Sequence, residues 1–227
     1  MILMRRSRYD EVVTASIQHR ASRRQDSAAY TREAILAAAS ELFSSRGYTA
    51  TTVNEVAAKA RVAVATVYTS VGGKPTLLRA LIERGVNEPR TTETLTAVAS
   101  ADDPREVIRL TAAGTRYSNE ASREMVALML STANTVPEIA EAMREAVTAY
   151  RQALGAVAGR LDDLSALRGG LGVERATDML WYFFGLHSWR QLVEDNGWSY
   201  EDAQSWLAEC AGAALLAPEH AATKPPR

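Results

Sequence analysis

Residues 52–74, TVNEVAAKARVAVATVYTSVGGK, constrain the fold of this chain more than any other stretch. Thr52 and Glu55 make a T-x-x-E capping box, which satisfies free N–H groups at a helix start. Val56, Ala57 and Ala60 then mark the inner face of a short second helix. After a tight turn at Arg61, the pattern predicts a third helix from Ala63 to Val71, with Val64, Val67 and Tyr68 available for packing. A Gly-Gly-Lys step leads to Pro75, which suits the first turn of a fourth helix striped by Leu77, Leu78, Leu81 and Ile82. Upstream, Ile35, Leu36, Ala39, Leu42 and Phe43 recur at helical spacing between Thr31 and Arg46, and Gly47 is placed to end that helix in the left-handed conformation. A helix, a tight turn and a second short helix rich in small residues describe a helix-turn-helix, whose second helix enters the DNA major groove.

Charge supports that placement. Residues 1–90 hold 14 Lys/Arg against 8 Asp/Glu, whereas residues 91–227 hold 12 against 19, so a net charge of −1 conceals a basic first part and an acidic remainder. Only the first part is suited to a polyanion. Arg5, Arg6, Arg8, Arg20, Arg23 and Arg24 lie in residues 1–28 without a sustained apolar stripe, which reads as a flexible basic arm.

Hydrophobic residues make up 47 % of the chain, dominated by Ala, while Gly and Pro are few and β-branched alternation is scarce; the expected fold class is all-α. Asp103 and Pro104 supply an N-cap and an N1 proline for a restart after a Thr-rich stretch, 91–96, that weakens the helical signal together with Pro89. Helices are then expected over about 104–118, 120–133, 137–161, 173–195 and 199–216, the last capped by Ser199 and Asp202, with a loop at 167–172. The expected organisation is a basic arm (1–28), a helix-turn-helix DNA-binding domain (29–88, with the motif at about 51–70), a larger helical domain (89–217) and a disordered tail (218–227). No apolar run approaches the roughly 20 residues of a membrane span, and the N-terminus lacks a signal-peptide pattern. With a single cysteine, Cys210, and no internal disulfide, the expected location is cytoplasmic.

By residue type and order, 31–85 resembles the DNA-binding domain of the tetracycline-repressor (TetR/AcrR) family. The resemblance is carried by Ile35 through Ala39, Leu42-Phe43, Gly47-Tyr48, Thr51-Thr52-Val53, Val56-Ala57, Ala60, Val62, Thr66, Tyr68, Lys74 and Leu77-Leu78. It implies an N-terminal three-helix DNA-binding domain, a C-terminal ligand-binding and dimerisation domain, and phosphate contacts from Thr66, Tyr68 and Lys74. The chain departs from the family pattern at three places. Arg61 stands where the family has a turn glycine, Ala63 where it has a capping serine, and Ser70-Val71 where it has an aromatic pair.

The residues themselves support a DNA-binding role. Phosphates are held by cations, hydroxyls and helix N-termini. Thr52 at the start of the second helix, Thr66 and Tyr68 on the third, and Lys74 at the start of the fourth supply such groups. Ala63, Val64, Ala65 and Thr69 are short, which predicts apolar contact with thymine methyls and few bidentate hydrogen bonds. Arg61 is the one long cation near that face.

In the C-terminal part, Tyr117, Met125, Leu128, Met129, Trp181, Phe184 and His187 are candidates for lining a largely apolar pocket, though such residues also simply fill cores. For His187, amid apolar neighbours, a satisfied core histidine is the preferred reading. Residues 173–195 are apolar on more than one helical face and 199–216 carry many small residues, so both must be buried on several sides. The resemblance implies that these two helices pair with their two-fold mates. Phe183, Leu186, Trp189, Trp206, Cys210, Ala213 and Ala214 are the candidate interface.

Catalysis has no foothold. His19, His187 and His220 lack metal-ligand spacing, and Gly73-Lys74 lacks the earlier glycine of a phosphate loop. No catalytic residue, metal or cofactor is therefore expected. The functional expectation is a homodimeric DNA-binding regulator, a repressor that a small apolar effector releases from a near-palindromic operator. The alternatives are a helical interaction protein without specific DNA binding, and a helical carrier or enzyme.

Overall fold

The computed structural model describes residues 8–86 and 89–221, with side chains over 25–85 and 89–220. Every regular element among them is helical, apart from an isolated bridge between Leu167 and Leu216. The chain divides into two compact units, the first ending at Leu81 and the second beginning at Ile82. This differs from the boundary expected at 88, because one helix, α4 (Lys74–Val86), runs through it. Its last turns contribute Ile82 and Gly85 to a cavity of the second unit.

In the first unit α1 spans Arg8–Arg46, so the flexible arm expected over 1–28 is helical from Arg8 onward. The stretch carries no Gly or Pro and includes several Ala and Arg, and a helix already nucleated by 31–46 extends at little cost. The arm arginines' side chains lie outside the described residues. Ile35, Leu36, Ala39, Leu42 and Phe43 are all buried, as are Val56 and Ala57 of α2 (Val53–Ala60), Val67 of α3 (Val64–Ser70), and Leu77 and Leu78 of α4. Gly47 ends the regular helix at φ +83°. That turn lets the Tyr48 ring lie 5.3 Å from Phe43 and lets the buried Thr51 hydroxyl donate to the Gly47 carbonyl at 2.9 Å.

The second unit continues with α5 (Pro89–Ser100), α6 (Pro104–Ala121), α7 (Arg123–Thr132), α8 (Pro137–Asp163), α9 (Val173–Phe184), α10 (Leu186–Arg190), a π turn over Gln191–Asp195, α11 (Tyr200–Leu215) and α12 (Pro218–Ala221). The α5 helix overturns the weak signal at 89–96. Pro89 is its first residue, and the hydroxyls of Thr94, Thr96 and Ser100 donate to carbonyls four residues earlier instead of competing for a non-helical backbone. The single helix expected over 173–195 breaks at Gly185, whose ψ is 168°. There a Cβ would overlap the Trp181 carbonyl oxygen.

Asp103 accepts from the Arg105 N–H at 2.9 Å, and Ser199 from the Asp202 N–H at 3.0 Å, as their N-cap positions require. The core joins Val107, Ile108 and Ala112 of α6 with Leu154, Val157 and Leu161 of α8, Leu180 and Phe184 of α9, and Leu207 and Leu215 of α11. The loop after α8 is tied to the end of α11 by Arg168 N–H to Leu215 O and Ala217 N–H to Ala166 O, both 2.9 Å. Part of the expected disordered tail is ordered: Pro218 opens α12, and the Arg105 guanidinium donates to the His220 carbonyl at 2.6 Å. Residues 222–227 lie outside the described residues.

Candidate functional site: nucleic-acid interface and ligand cavity

The first candidate site is the α2–turn–α3 motif. The capping box is complete: the Glu55 N–H donates to the Thr52 hydroxyl, and the Thr52 N–H donates to the Glu55 carboxylate at 2.8 Å. These bonds, with Arg46 close by, hold the Glu55 carboxyl below its ordinary pKa. At the end of α2 Arg61 adopts φ 56°, ψ 41°, so the position does need the left-handed conformation that glycine takes most easily. Its N–H and that of Val62 return to carbonyls of α2, the latter to Ala57 at 3.0 Å, and this reverses the chain into α3. Ala63 occupies the N-cap of α3 with no side-chain hydrogen bond, leaving the first N–H groups of α3 without an intrahelical or capping partner.

Buried Val67 anchors α3 and turns its opposite face outward. Ala63, Val64, Ala65, Tyr68 and Thr69 are exposed, and Thr66 is half-buried. Val64 and Tyr68, which sequence patterning also offered for packing, therefore belong to the outer face; Tyr68 is 55 % exposed. The Thr69 hydroxyl donates to the Ala65 carbonyl at 3.0 Å. Gly72 at φ +117° abuts Thr76, and the Tyr68 ring lies beside Gly73. Lys74 is held where α4 begins. Its ammonium donates to the Thr49 carbonyl at 3.1 Å and stands 4.4 Å above the Tyr48 ring, and partial burial lowers its pKa. An ammonium has three donors, so one such bond leaves others for a phosphate. From α1, Arg32 donates to the Ser70 carbonyl at 2.9 Å and ties down the end of α3.

The second candidate site is a cavity of about 200 Å³ in the second unit. Its wall comes from Ile82 and Gly85 of α4, Thr91, Thr94 and Leu95 of α5, the Thr111–Gly114–Thr115–Ser118–Asn119 stripe of α6, Met125, Val126 and Met129 of α7, Ala146, Val147, Ala149, Tyr150, Ala153, Leu154 and Val157 of α8, and Leu186 of α10. Gly114 allows the close approach of α5, because a Cβ there would overlap Thr94. Tyr150 donates to the Phe184 carbonyl at 2.6 Å and accepts from the Asn119 amide at 3.3 Å. Burial drives its phenol pKa upward, so it stays neutral.

Of the pocket residues expected from sequence, Met125 and Met129 line this cavity. The other five do not. Tyr117 lies under the Arg90 guanidinium, 4.3 Å away; Leu128 and Phe184 are buried elsewhere; Trp181 abuts Tyr150 edge-on at 5.5 Å; and His187 is exposed rather than a core histidine. The residues missed are the α6 stripe and the small α8 face. The available signal was Thr111, Thr115, Ser118, Asn119 and Ser122 recurring at helical spacing beside the apolar stripe of α6.

The expected dimer residues also separate. Trp189 is 1 % exposed, inside the chain's own core beside Tyr200, because the break at Gly185 resets the helical phase and turns it inward. Leu186 faces the cavity. Trp206, Ala213, and the half-buried Phe183, Cys210 and Ala214 remain at the surface. Tyr182, 73 % exposed, and Trp198, whose ring packs 5.8 Å from Trp206, join them. Burial raises the Cys210 thiol pKa, which disfavours its reactive thiolate. Among the described residues no cluster of His, Cys, Asp or Glu could hold a metal, and no helix is long and apolar enough to cross a membrane.

A motif with a buried anchor, an exposed short-chain face and a cation at the following helix start defines a helix-turn-helix DNA-binding protein. Residues 35–81 match the profile of the family described as "Bacterial regulatory proteins, tetR family". No curated protein matches the chain by sequence. Solved structures match most of its length. SmeT, the repressor of the Stenotrophomonas maltophilia multidrug efflux pump SmeDEF, aligns at TM-score 0.65 and 21 % identity over 86 % of this chain and 97 % of its own. The SmeT–triclosan complex aligns at 0.69 and 21 %, over 87 % and 99 %. FadR from Bacillus subtilis with stearoyl-CoA aligns at 0.66 and 17 %, over 79 % and 96 %. These likenesses show the fold. The family match itself covers residues 35–81, the helix-turn-helix unit.

Proposed function

We propose that this chain is a cytoplasmic homodimeric repressor that binds a near-palindromic operator and leaves it when a small molecule fills the cavity of the second unit. The observation that carries the reading is α3. Buried Val67 and the Arg61 turn hold it so that Val64, Ala65, Tyr68 and Thr69 face solvent in a unit matched to a DNA-binding family. Short side chains there suit thymine methyls, while Thr52, Thr66, Tyr68, Arg61 and Lys74 supply phosphate or guanine contacts. Exposed Tyr182, Trp198 and Trp206 form apolar surface suited to a second copy, and two copies read two half-sites. SmeT with triclosan and FadR with stearoyl-CoA support a small-molecule ligand, and the cavity of the second unit is the space for it. The release is a linkage effect: the effector must bind the DNA-free state more tightly, and DNA then lowers effector affinity by the same factor. The function is binding rather than turnover.

The test is selection of duplex DNA from a random pool, followed by titration of the enriched site. An enriched near-palindrome is expected, and Thr66→Ala with Lys74→Ala should weaken its binding by roughly tenfold or more, as loss of two phosphate contacts implies. Unchanged affinity in that double variant would remove these residues from the interface. Failure to enrich any sequence would overturn the operator reading.

A further inference from the structure

Resting on the cavity reading above, we propose that the cavity selects an uncharged, mainly apolar molecule bearing one hydroxyl or N–H donor, and that the Asn119 side-chain oxygen receives that donor. Among the described residues, no Asp, Glu, Lys, Arg or His lines the cavity. Nothing in that wall therefore compensates a carboxylate or an ammonium, and burying either without a partner is costly.

The polar groups that do line it are mostly engaged as donors. The hydroxyls of Thr94, Thr111 and Thr115 donate to the carbonyls of Arg90, Val107 and Thr111 at 2.8, 2.7 and 2.9 Å. The Tyr150 proton goes to Phe184 O, so toward Asn119 the phenol is an acceptor. This fixes the orientation of the Asn119 amide. Its nitrogen donates to Thr115 O at 2.8 Å and to the Tyr150 oxygen at 3.3 Å, and both of its N–H groups are used. The amide oxygen accepts no hydrogen bond from the described residues, although Asn119 is only 7 % exposed. The remaining hydroxyls, on Thr91, Ser118 and Ser122, lie at half-buried positions. Thr111, Thr115, Asn119 and Tyr150 thus have every side-chain proton engaged and leave the Asn119 oxygen open, so a ligand that meets this part of the wall supplies the proton. Ala146, Ala149 and Ala153 give one side of the cavity no side chain beyond Cβ, which admits a slim apolar body.

The experiment uses the full chain and four probes with one apolar chain and different heads: decanol, decyl methyl ether, decanoate and decylammonium, each titrated calorimetrically at neutral pH. Decanol is expected to bind best. The ether, lacking the donor, should bind about tenfold more weakly, and the two ions about a hundredfold more weakly. Asn119→Leu should abolish the preference of decanol over the ether. Should that variant fail to fold, Ala149→Phe, which fills the cavity, must instead weaken decanol binding. Equal binding of decanol and its ether to the wild-type chain would overturn the role of Asn119. Equal or tighter binding of either ion would overturn selection for neutral molecules while leaving the cavity as a ligand site. No binding of any probe, or decanol binding unaffected by Ala149→Phe, would overturn the cavity reading and this proposal with it.

Discussion

Replacing Arg61 by glycine and, separately, by alanine separates the two roles of that residue. Its backbone sits at φ 56°, ψ 41°, where a residue with a Cβ is strained by roughly 1–2 kcal/mol. Glycine removes that strain but adds freedom to the unfolded chain, worth about 0.4–1 kcal/mol in the opposite direction. The Arg61 side chain is exposed, so its loss sacrifices little packing. Arg61→Gly should therefore stabilise the first unit by about 0.5–1 kcal/mol, raising its melting temperature by a few degrees for a unit of this size. Arg61→Ala keeps the Cβ and the strain and should leave stability nearly unchanged. Both variants lose the guanidinium. If it meets a phosphate, both should bind operator more weakly by the same factor, with the salt dependence of log affinity shallower by about one ion. Thermal melts with operator titrations at several salt concentrations read both effects. Equal melting temperatures for the glycine and alanine variants would refute the backbone argument. An unchanged salt slope would refute the phosphate contact.

Other outcomes follow from single contacts. Thr52→Ala removes the capping box of α2 and should cost about 1 kcal/mol in chemical denaturation. Gly185→Ala forces a Cβ against the Trp181 carbonyl and should destabilise the second unit by about 1–3 kcal/mol, while Gly159→Ala, with open space at its Cβ, should not. Leu180→Ala, fully buried among α8, α9 and α11, should cost about 2–5 kcal/mol. Because burial raises the folded-state pKa of Tyr150 above its ordinary 10, the folded chain retains that proton longer than the unfolded one. Stability is then unaffected below pH 10 and falls as pH rises beyond it. Alkaline denaturation of Tyr150→Phe should show a shallower decline above pH 10 than wild type, even though its neutral-pH stability is reduced.

The helix-turn-helix was legible because its determinants are local. The Thr52–Glu55 box, Gly47 and the i, i+3, i+4 stripe of α1 act over a few residues, and each is found where its spacing placed it. The left-handed turn at Arg61 was legible as well, though the residue there is not the one the turn prefers. What sequence periodicity could not supply was the phase between distant helices. It sees that 173–195 is apolar on more than one face, but not that the helix breaks at Gly185, and so it cannot tell inward Trp189 from outward Tyr182. It rates a Thr-rich run as poor helix, whereas the hydroxyls of α5 bond back to their own carbonyls, and α5 closes over Gly114.

The same limit decided the cavity. Met and aromatic residues announce apolar volume, yet whether they fill a core or border a space depends on how α5, α6, α7 and α8 converge. Only Met125 and Met129 of the expected set end at that border. By itself the sequence determined the helical class, the DNA-reading motif and the separation of charge, since caps, turns and periodicity are short-range. Only the tertiary structure decided which helix faces enclose the cavity and that Asn119 and Tyr150 meet there, because residues 31 positions apart are brought together by packing alone.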